Sequence, residues 1–228
     1  MKALVLFSGG LDSTVCLAMA VKKYGPDQVL ALSISYGQKH NKELEAARNI
    51  VAHFGVKHQT LDLGEIFRDS NCSLLQQSTE EIPKGDYADQ LVETAGAPVT
   101  TYVPYRNGLF LSSAASIALC HGCEEIYYGA HADDAAGNAY PDTSVAFNKA
   151  ICDAIYIGSG NVLKVVAPFI ASSKADVVAE GIRLHVPFEL TWSCYEGHTY
   201  ACGVCGTCID RRQAFEANGM KDPIAYEA

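Results

Sequence analysis

A doubly wound α/β fold on an open parallel sheet is predicted by three observations: apolar segments too continuous to leave one face in water, helical repeats between them, and glycine-marked junctions. Ala3 to Phe7 (ALVLF) shows no alternation, as expected of a strand buried on both faces. Ser8-Gly9-Gly10 breaks it, and from Leu11 the residues Leu11, Val15, Leu17, Ala18 and Val21 recur at helical spacing until Tyr24-Gly25-Pro26 ends the pattern. Val29 to Tyr36 reads as a second strand, Lys42 to Phe54 as a helix closed by Gly55, and His58 to Leu63 as a third strand. Such alternation implies right-handed crossovers and helices on both faces.

Gly64 to Val103 is less regular, with Pro83, Gly85 and Pro98, and reads as a long functional loop or lid. Arg106 to His121 predicts a helix, Glu124 to His131 a strand, and Thr143 to Ile157 a helix after a loop rich in Gly, Asn and Asp. Val162 to Pro168 is expected as the last parallel strand, and Ser173 to Leu184 as a helix capped from Ser172-Ser173. After Pro187 a tail with Trp192 and four cysteines is too short to build its own apolar core. The expected division is therefore an α/β domain over 1–187 and a small metal-stapled appendage over 188–228.

The 228 residues are 49% hydrophobic and 19% charged, and no apolar run reaches the about 18 to 20 residues a bilayer span requires. The short run in MKALVLFSGG stops at a glycine pair with no cleavage site after it, so no export signal and a cytoplasmic protein are expected. A formal charge of −9 disfavours a broad nucleic-acid-binding face, which needs clustered Lys and Arg. Without export, nine cysteines point to thiols or metal ligands rather than disulfides.

Ser8-Gly9-Gly10-Leu11-Asp12-Ser13-Thr14 joins the first strand to the first helix. Glycines let backbone approach an anion, a helix start offers unpaired N–H groups, and hydroxyls add donors, so the segment has the chemistry of a pyrophosphate cradle. It lacks both the Gly-Lys-Ser/Thr of a P-loop and the spacing of a dinucleotide site. An ordinary turn capped by Asp12 or Ser13 is the plainer alternative.

Cys194, Cys202, Cys205 and Cys208 lie in TWSCYEGHTYACGVCGTC, where Gly203 and Gly206 permit tight turns. Four thiolates so spaced can close a tetrahedral shell, and structural zinc is the preferred reading over an iron–sulfur cluster or unliganded thiols. Cys16, Cys72, Cys120, Cys123 and Cys152 show no such pattern; Cys16, Cys120 and Cys152 fall on helices and read as small core residues, and the CxxC spacing of Cys120 and Cys123, with no second pair close in sequence, leaves a redox role as the lesser alternative.

Polar clusters fall where strands of an open parallel sheet end. Arg106, in VPYRN, is a candidate partner for a carboxylate or phosphate, with a surface arginine beside a capping Asn107 as the equal alternative. Asp133, Asp134 and Asp142 lie in a loop after a strand, and an acceptor-only carboxylate suits the N–H edge of a guanine-like base, although solvated loop acids explain them equally well. Lys174 is a possible phosphate contact or a helix-surface lysine.

SGGLDS resembles the motif of the PP-loop ATP pyrophosphatases, at the same place on a strand–turn–helix unit. That resemblance implies an adenine nucleotide alpha hydrolase-like, Rossmann-like fold and ATP held by Ser8, Gly9, Gly10, Leu11, Asp12, Ser13 and Thr14. It further implies Mg²⁺ near Asp12, an adenylated intermediate and release of pyrophosphate. SGGLDSTV, VPYRN, GAHADD with NAYPD, the PF segment before Lys174, and TWSCY with CGVCGTC together resemble the 7-cyano-7-deazaguanine synthases of the queuosine pathway over nearly the whole chain. This implies conversion of 7-carboxy-7-deazaguanine and ammonia to the nitrile, with ATP used twice. Asp12, Ser13, Arg106 and Lys174 would serve catalysis, Arg106 with Asp133 or Asp142 the base, and the four cysteines Zn²⁺. A homodimer without nucleic-acid or membrane partners is expected by the same analogy. A PP-loop tRNA thiolase or lysidine-forming ligase, or a zinc-stapled nucleotide-binding module without chemistry, are the alternatives.

Overall fold

The computed structural model describes residues 1–95, 97–133 and 139–227. In chain order it contains β1 (Ala3–Leu6), α1 (Leu11–Tyr24), β2 (Val29–Ser35), α2 (Lys42–Phe54), β3 (Lys57–Asp62), α3 (Tyr87–Glu93) and α4 (Arg106–Cys120). There follow β4 (Glu125–Tyr127), α5 (Val145–Gly158), β5 (Lys164–Val166), α6 (Lys174–Arg183) and α7 (Gly206–Ala217). The five strands form one parallel sheet in the order β3-β2-β1-β4-β5. Winding reverses between β1 and β4, and the crevice beyond their carboxyl ends is where such sheets receive ligands.

β1 is apolar throughout because both its faces are covered. Ala3, Val5 and Phe7 join residues of α1, α2, α6 and α7 in one core, while Leu4 joins Leu30, Leu32 and Ile34 of β2 with residues of α4 and α5 in the other. Phe7 is 2% exposed, and burying a side chain of that size contributes about 1.5 to 3 kcal/mol. The one polar residue at the centre of β2, Ser33, is satisfied by donating to the Phe7 carbonyl at 2.6 Å and pairing with His58 Nε2 at 2.8 Å.

Several elements differ from expectation in extent. The β4 ladder stops at Tyr127; Tyr128, Gly129 and Ala130 beyond it line the crevice, and the Tyr128 N–H still reaches the Val166 carbonyl at 3.0 Å. α5 starts at Val145 rather than Thr143: Pro141–Thr143 makes a short 3₁₀ turn, and the Ser144 hydroxyl accepts from the Phe147 N–H at 3.2 Å as the cap. α6 begins behind a capping box of Ser173 and Asp176.

The segment expected to lack regular structure carries a 3₁₀ turn, Gly64–Phe67, and α3 capped by Asp86. Its apolar residues Phe67, Cys72, Leu74, Leu75, Ile82 and Val103 form a third core with Cys194, Ala201, Cys205 and Cys208. The cysteine-rich tail, too short for a core of its own, thus shares one. The Gly85 N–H donates to the Val204 carbonyl at 2.9 Å, and the Tyr87 ring lies where a Cβ on Gly206 would come within 2.9 Å. α7 then returns Ala214 and Phe215 to the first core, held by Arg211, which is fully buried and bonds Asp222 at 2.7 and 3.0 Å and Thr191 Oγ1 at 2.6 Å. Among the described residues no helix is long and apolar enough to cross a membrane.

Candidate active site and cysteine cluster

The turn after β1 is forced into shape by contact with α2. Gly9 has φ +86°, and a Cβ there would stand 2.4 Å from the Glu43 carbonyl oxygen and 2.6 Å from the Ala47 nitrogen. Only glycine fits so close an approach. Ser8 and Ser13 bind each other through their hydroxyls at 3.1 Å, and the Ser8 hydroxyl accepts from the Gly10 N–H at 3.1 Å. Thr14 is fully buried, its hydroxyl donating to the Gly10 carbonyl at 2.7 Å, so it shapes the turn from behind. No side chain caps the start of α1. The uncapped N–H groups and the dipole are left for an anion. Gly129 lets the other side approach: its Cβ would meet Asp12 C and Ser13 N at 3.1 Å.

Asp12 anchors a charge cluster. Lys174, at the start of α6, donates from Nζ to Asp12 Oδ2 at 2.6 Å and lies 3.4 Å from His131 Nε2. His131 Nε2 is 3.9 Å from Asp12 Oδ1 and its Nδ1 is 4.0 Å from Asp133 Oδ2. Burial alone would raise the Asp12 carboxyl, but the Lys174 and His131 charges overcome it and hold the group below its ordinary value. Asp12 Oδ1 is buried and accepts no hydrogen bond, which suits a hard cation drawn to carboxylate and phosphate oxygens together.

A cavity of about 240 Å³ is lined by Ser8, Asp12 and Ser13, by Leu32 and Ile34 of β2, and by Arg106. Arg106 is aimed into it by the left-handed Tyr105 (φ +54°), a strained conformation for a bulky residue. Its guanidinium lies 5.3 Å from the centre of the Tyr36 ring and donates to the Tyr36 hydroxyl at 3.3 Å. Tyr140 and Tyr195 close the wall, their hydroxyls 3.2 Å apart, with Tyr87 2.9 Å from Tyr195 and Thr101 2.6 Å from Tyr140.

The structure brings Asp12, Ser13 and Arg106 to the lining of one cavity, and Lys174 bonds Asp12 from outside that lining. Asp133 and Asp142 line no part of the cavity: Asp133 Oδ2 accepts the Lys174 backbone N–H at 2.7 Å, and Asp142 Oδ2 accepts the Asn107 N–H at 2.8 Å. The acid expected to read a base is thus also the one that caps α4, and Asn107 is not its cap. Asp142 Oδ1 is buried without a hydrogen bond. Asp134, the third candidate, lies outside the described residues. Sequence reading assigned no role to His131, Tyr36, Tyr195 or Glu43. Of these only His131 carried a signal, its place at the carboxyl end of β4.

The sulfurs of Cys194, Cys202, Cys205 and Cys208 lie within 4.8 Å of one another. A single ion with metal–sulfur bonds of about 2.3 Å needs tetrahedral edges of roughly 3.8 Å, so the set fits one ion. A four-iron cluster, with a separate iron behind each thiolate, would spread the sulfurs further. Without an ion the sulfurs share protons unequally: hydrogen bonds from Cys194 and Cys208 pull the Cys205 thiol down, while those two thiols are pushed up. The other five cysteines are free. Trp192 and Tyr195 tie this cluster to the crevice: the Trp192 N–H donates to the Gly9 carbonyl at 3.1 Å, and its indole N–H to the Cys194 carbonyl at 2.8 Å.

Residues 2–219 match the family model described as queuosine biosynthesis protein QueC. The chain is 41% identical over 225 residues to a 7-cyano-7-deazaguanine synthase of Archaeoglobus fulgidus, covering 98% of this chain and 90% of that protein. It is 38% identical over 226 residues to one of Pseudoalteromonas atlantica, covering 99% of each. The fold is also that of NMN synthetase from Francisella tularensis (TM-score 0.53, 15% identity, 96% of this chain and 78% of that one). The U34-tRNA thiolase NcsA from Methanococcus maripaludis, solved with its [4Fe-4S] cluster, shares it too (TM-score 0.52, 15% identity, 96% and 67%).

Proposed function

This chain belongs to the queuosine biosynthesis protein QueC family, and on that premise we propose that it converts 7-carboxy-7-deazaguanine and ammonia to 7-cyano-7-deazaguanine, consuming ATP at two successive activations. The supporting observation is that an uncapped α1 start, with Asp12 bonded to Lys174, and Arg106 line one cavity. The α1 N–H groups and the Ser8 and Ser13 hydroxyls hold the triphosphate, and Lys174 leaves Asp12 for a phosphate oxygen. Arg106, steadied by Tyr36, pairs with the substrate carboxylate and turns one oxygen toward the α-phosphorus. Ammonia displaces AMP to give the amide; the amide oxygen is adenylated in turn and departs as AMP, leaving the nitrile. The wall of Tyr140 and Tyr195 keeps water from the acyl adenylate. Asp142 does not line the cavity, but its buried Oδ1 accepts no hydrogen bond and is next in sequence to Thr143, which does line it, so this oxygen is the acceptor offered to the N–H edge of the base.

Asp12 would hold Mg²⁺, which when bound offsets charge on the departing pyrophosphate. The four cysteines hold Zn²⁺ as a structural ion over residues 188–228, with every position taken by sulfur. The substrates are small molecules, in keeping with the charge of −9, and the setting is cytoplasmic, where nine thiols stay reduced. By analogy with its family the chain pairs as a homodimer; a monomer in sedimentation at micromolar concentration would refute that. Mass spectrometry of the product from purified protein, ATP, Mg²⁺, ammonium and the 7-carboxy base tests the reaction. Sustained pyrophosphate release must require both the base and ammonium and no RNA.

A further inference from the structure

We propose that Glu43 is the general base that removes protons from the incoming nitrogen, a role that deepens the reaction proposed above and rests on it. The chemistry demands such a group. Ammonia enters with three N–H bonds and the nitrile has none. When nitrogen adds to the acyl adenylate, one proton must leave the adduct before AMP is expelled and the amide remains. After the amide oxygen is adenylated, two more protons leave; their N–H electron pairs become carbon–nitrogen bonds as the carbon–oxygen bond breaks toward AMP. Each proton goes to a base and then to water.

Few groups in the cavity can take them. Glu43 sits in the first turn of α2, lines the cavity, and forms no hydrogen bond or ion pair within 4 Å among the described residues. Its position relative to the phosphate turn is fixed, because its own carbonyl is the atom that the missing Cβ of Gly9 would strike. Facing the cavity with it are Asp12 from α1, Tyr36 beyond β2, Arg106 from α4, Tyr128 beyond β4, Tyr140, and Tyr195 of the tail. Asp12, the other acid there, is held below its ordinary value by Lys174 and His131, which makes it a weak base, and in the reaction proposed above its oxygens would be given to Mg²⁺. Burial pushes the Tyr36 hydroxyl to about 12 and that of Tyr195 well above its ordinary value, so neither is ionised near neutrality. Burial pushes Glu43 up to about 7 against the opposing charge of Arg106, near the operating pH where a base works best. Arg106, whose charge acts on Glu43, holds the substrate carboxylate and so keeps the reacting carbon in the cavity that Glu43 lines.

The test is Glu43→Gln, which keeps shape and removes the proton acceptor, with Glu43→Asp beside it. In a single turnover without ammonium, both variants should release the wild-type burst of pyrophosphate from ATP and the 7-carboxy base, showing that the site is folded and activates its substrate. With ammonium, Glu43→Gln should form amide and nitrile about 10² to 10⁴ times more slowly. Plotted against free ammonia, the wild-type rate should rise as pH passes through about 7; that limb should persist in Glu43→Asp and vanish in Glu43→Gln. A wild-type nitrile rate in Glu43→Gln overturns the inference. So does an unchanged limb with only a raised KM for the base, which would make Glu43 a recognition group. Failure of the wild type to release pyrophosphate with this base overturns the reaction itself, and the inference with it.

Discussion

Replacing Gly9 by Ala probes the most constrained point of the crevice. At φ +86° an L-residue incurs about 1 to 2 kcal/mol for the left-handed backbone. The new methyl would also stand 2.4 Å from the Glu43 carbonyl and 2.6 Å from the Ala47 nitrogen, both backbone of α2 and unable to rotate away. Overpacking of that kind adds about 1 to 3 kcal/mol, for a sum of about 2 to 5 kcal/mol. Gly122→Ala is the control: it too has positive φ (+66°), but nothing lies within 4 Å of its Cβ, so only the backbone cost of about 1 to 2 kcal/mol applies. Urea unfolding of the two variants, followed by circular dichroism, isolates the steric part as their difference. The fluorescence of Trp192, the only tryptophan, reports the turn directly, since its N–H binds the Gly9 carbonyl. Gly9→Ala should also weaken ATP binding, because α2 can make room only by parting from the turn. Equal losses in the two variants, with Trp192 emission and nucleotide affinity unchanged in Gly9→Ala, would refute the reasoning.

Asp12→Asn should retain the fold and lose pyrophosphate release by about 10²-fold or more, since it removes charge aimed at the phosphates. Because folding lowers the Asp12 pKa, its ionised form contributes stability above the ordinary value of 3.8 that is lost as pH falls through the folded value; the stability gap between wild type and Asp12→Asn should close on acidification, and a constant gap argues against the Lys174 pairing. Cys205→Ser should lower zinc well below one ion per chain and make residues after Pro187 susceptible to limited proteolysis; full metal content by elemental analysis counts against the four-thiolate site. Arg211→Met leaves Asp222 buried without its cation and should cost about 3 to 5 kcal/mol in urea unfolding, with stability near wild type as the contrary result.

What was legible in the sequence was local chemistry. The turn at Ser8 to Thr14, proposed to hold phosphate, announces itself because its backbone needs, a glycine at positive φ and a helix start, are met by residues adjacent in the chain. The cysteine set reads equally well, since turn glycines and ligand spacing are also local. The α/β order followed from apolar runs such as ALVLF, whose continuity records burial on two faces. Residues 64–103 were opaque because their apolar side chains pack against the distant cysteine segment rather than against each other at a regular period. Glu43 was invisible for a related reason: an acid in a helix's first turn is commonplace, and only the approach of the Gly9 turn and Arg106 gives it a special setting. Asp142 looked like a loop acid, and its capping of α4 depends on a fold-back no spacing records.

The stretch from Trp192 to Tyr195 bonds the first turn of the protein, supplies a sulfur to the cysteine set and walls the cavity. Four consecutive residues thus couple three places that are far apart in the chain. Slackening Cys194 would loosen the brace on Gly9 and the Tyr195 side of the cavity together, so damage at the sulfur knot should be felt as a change of shape beside the Gly9 turn.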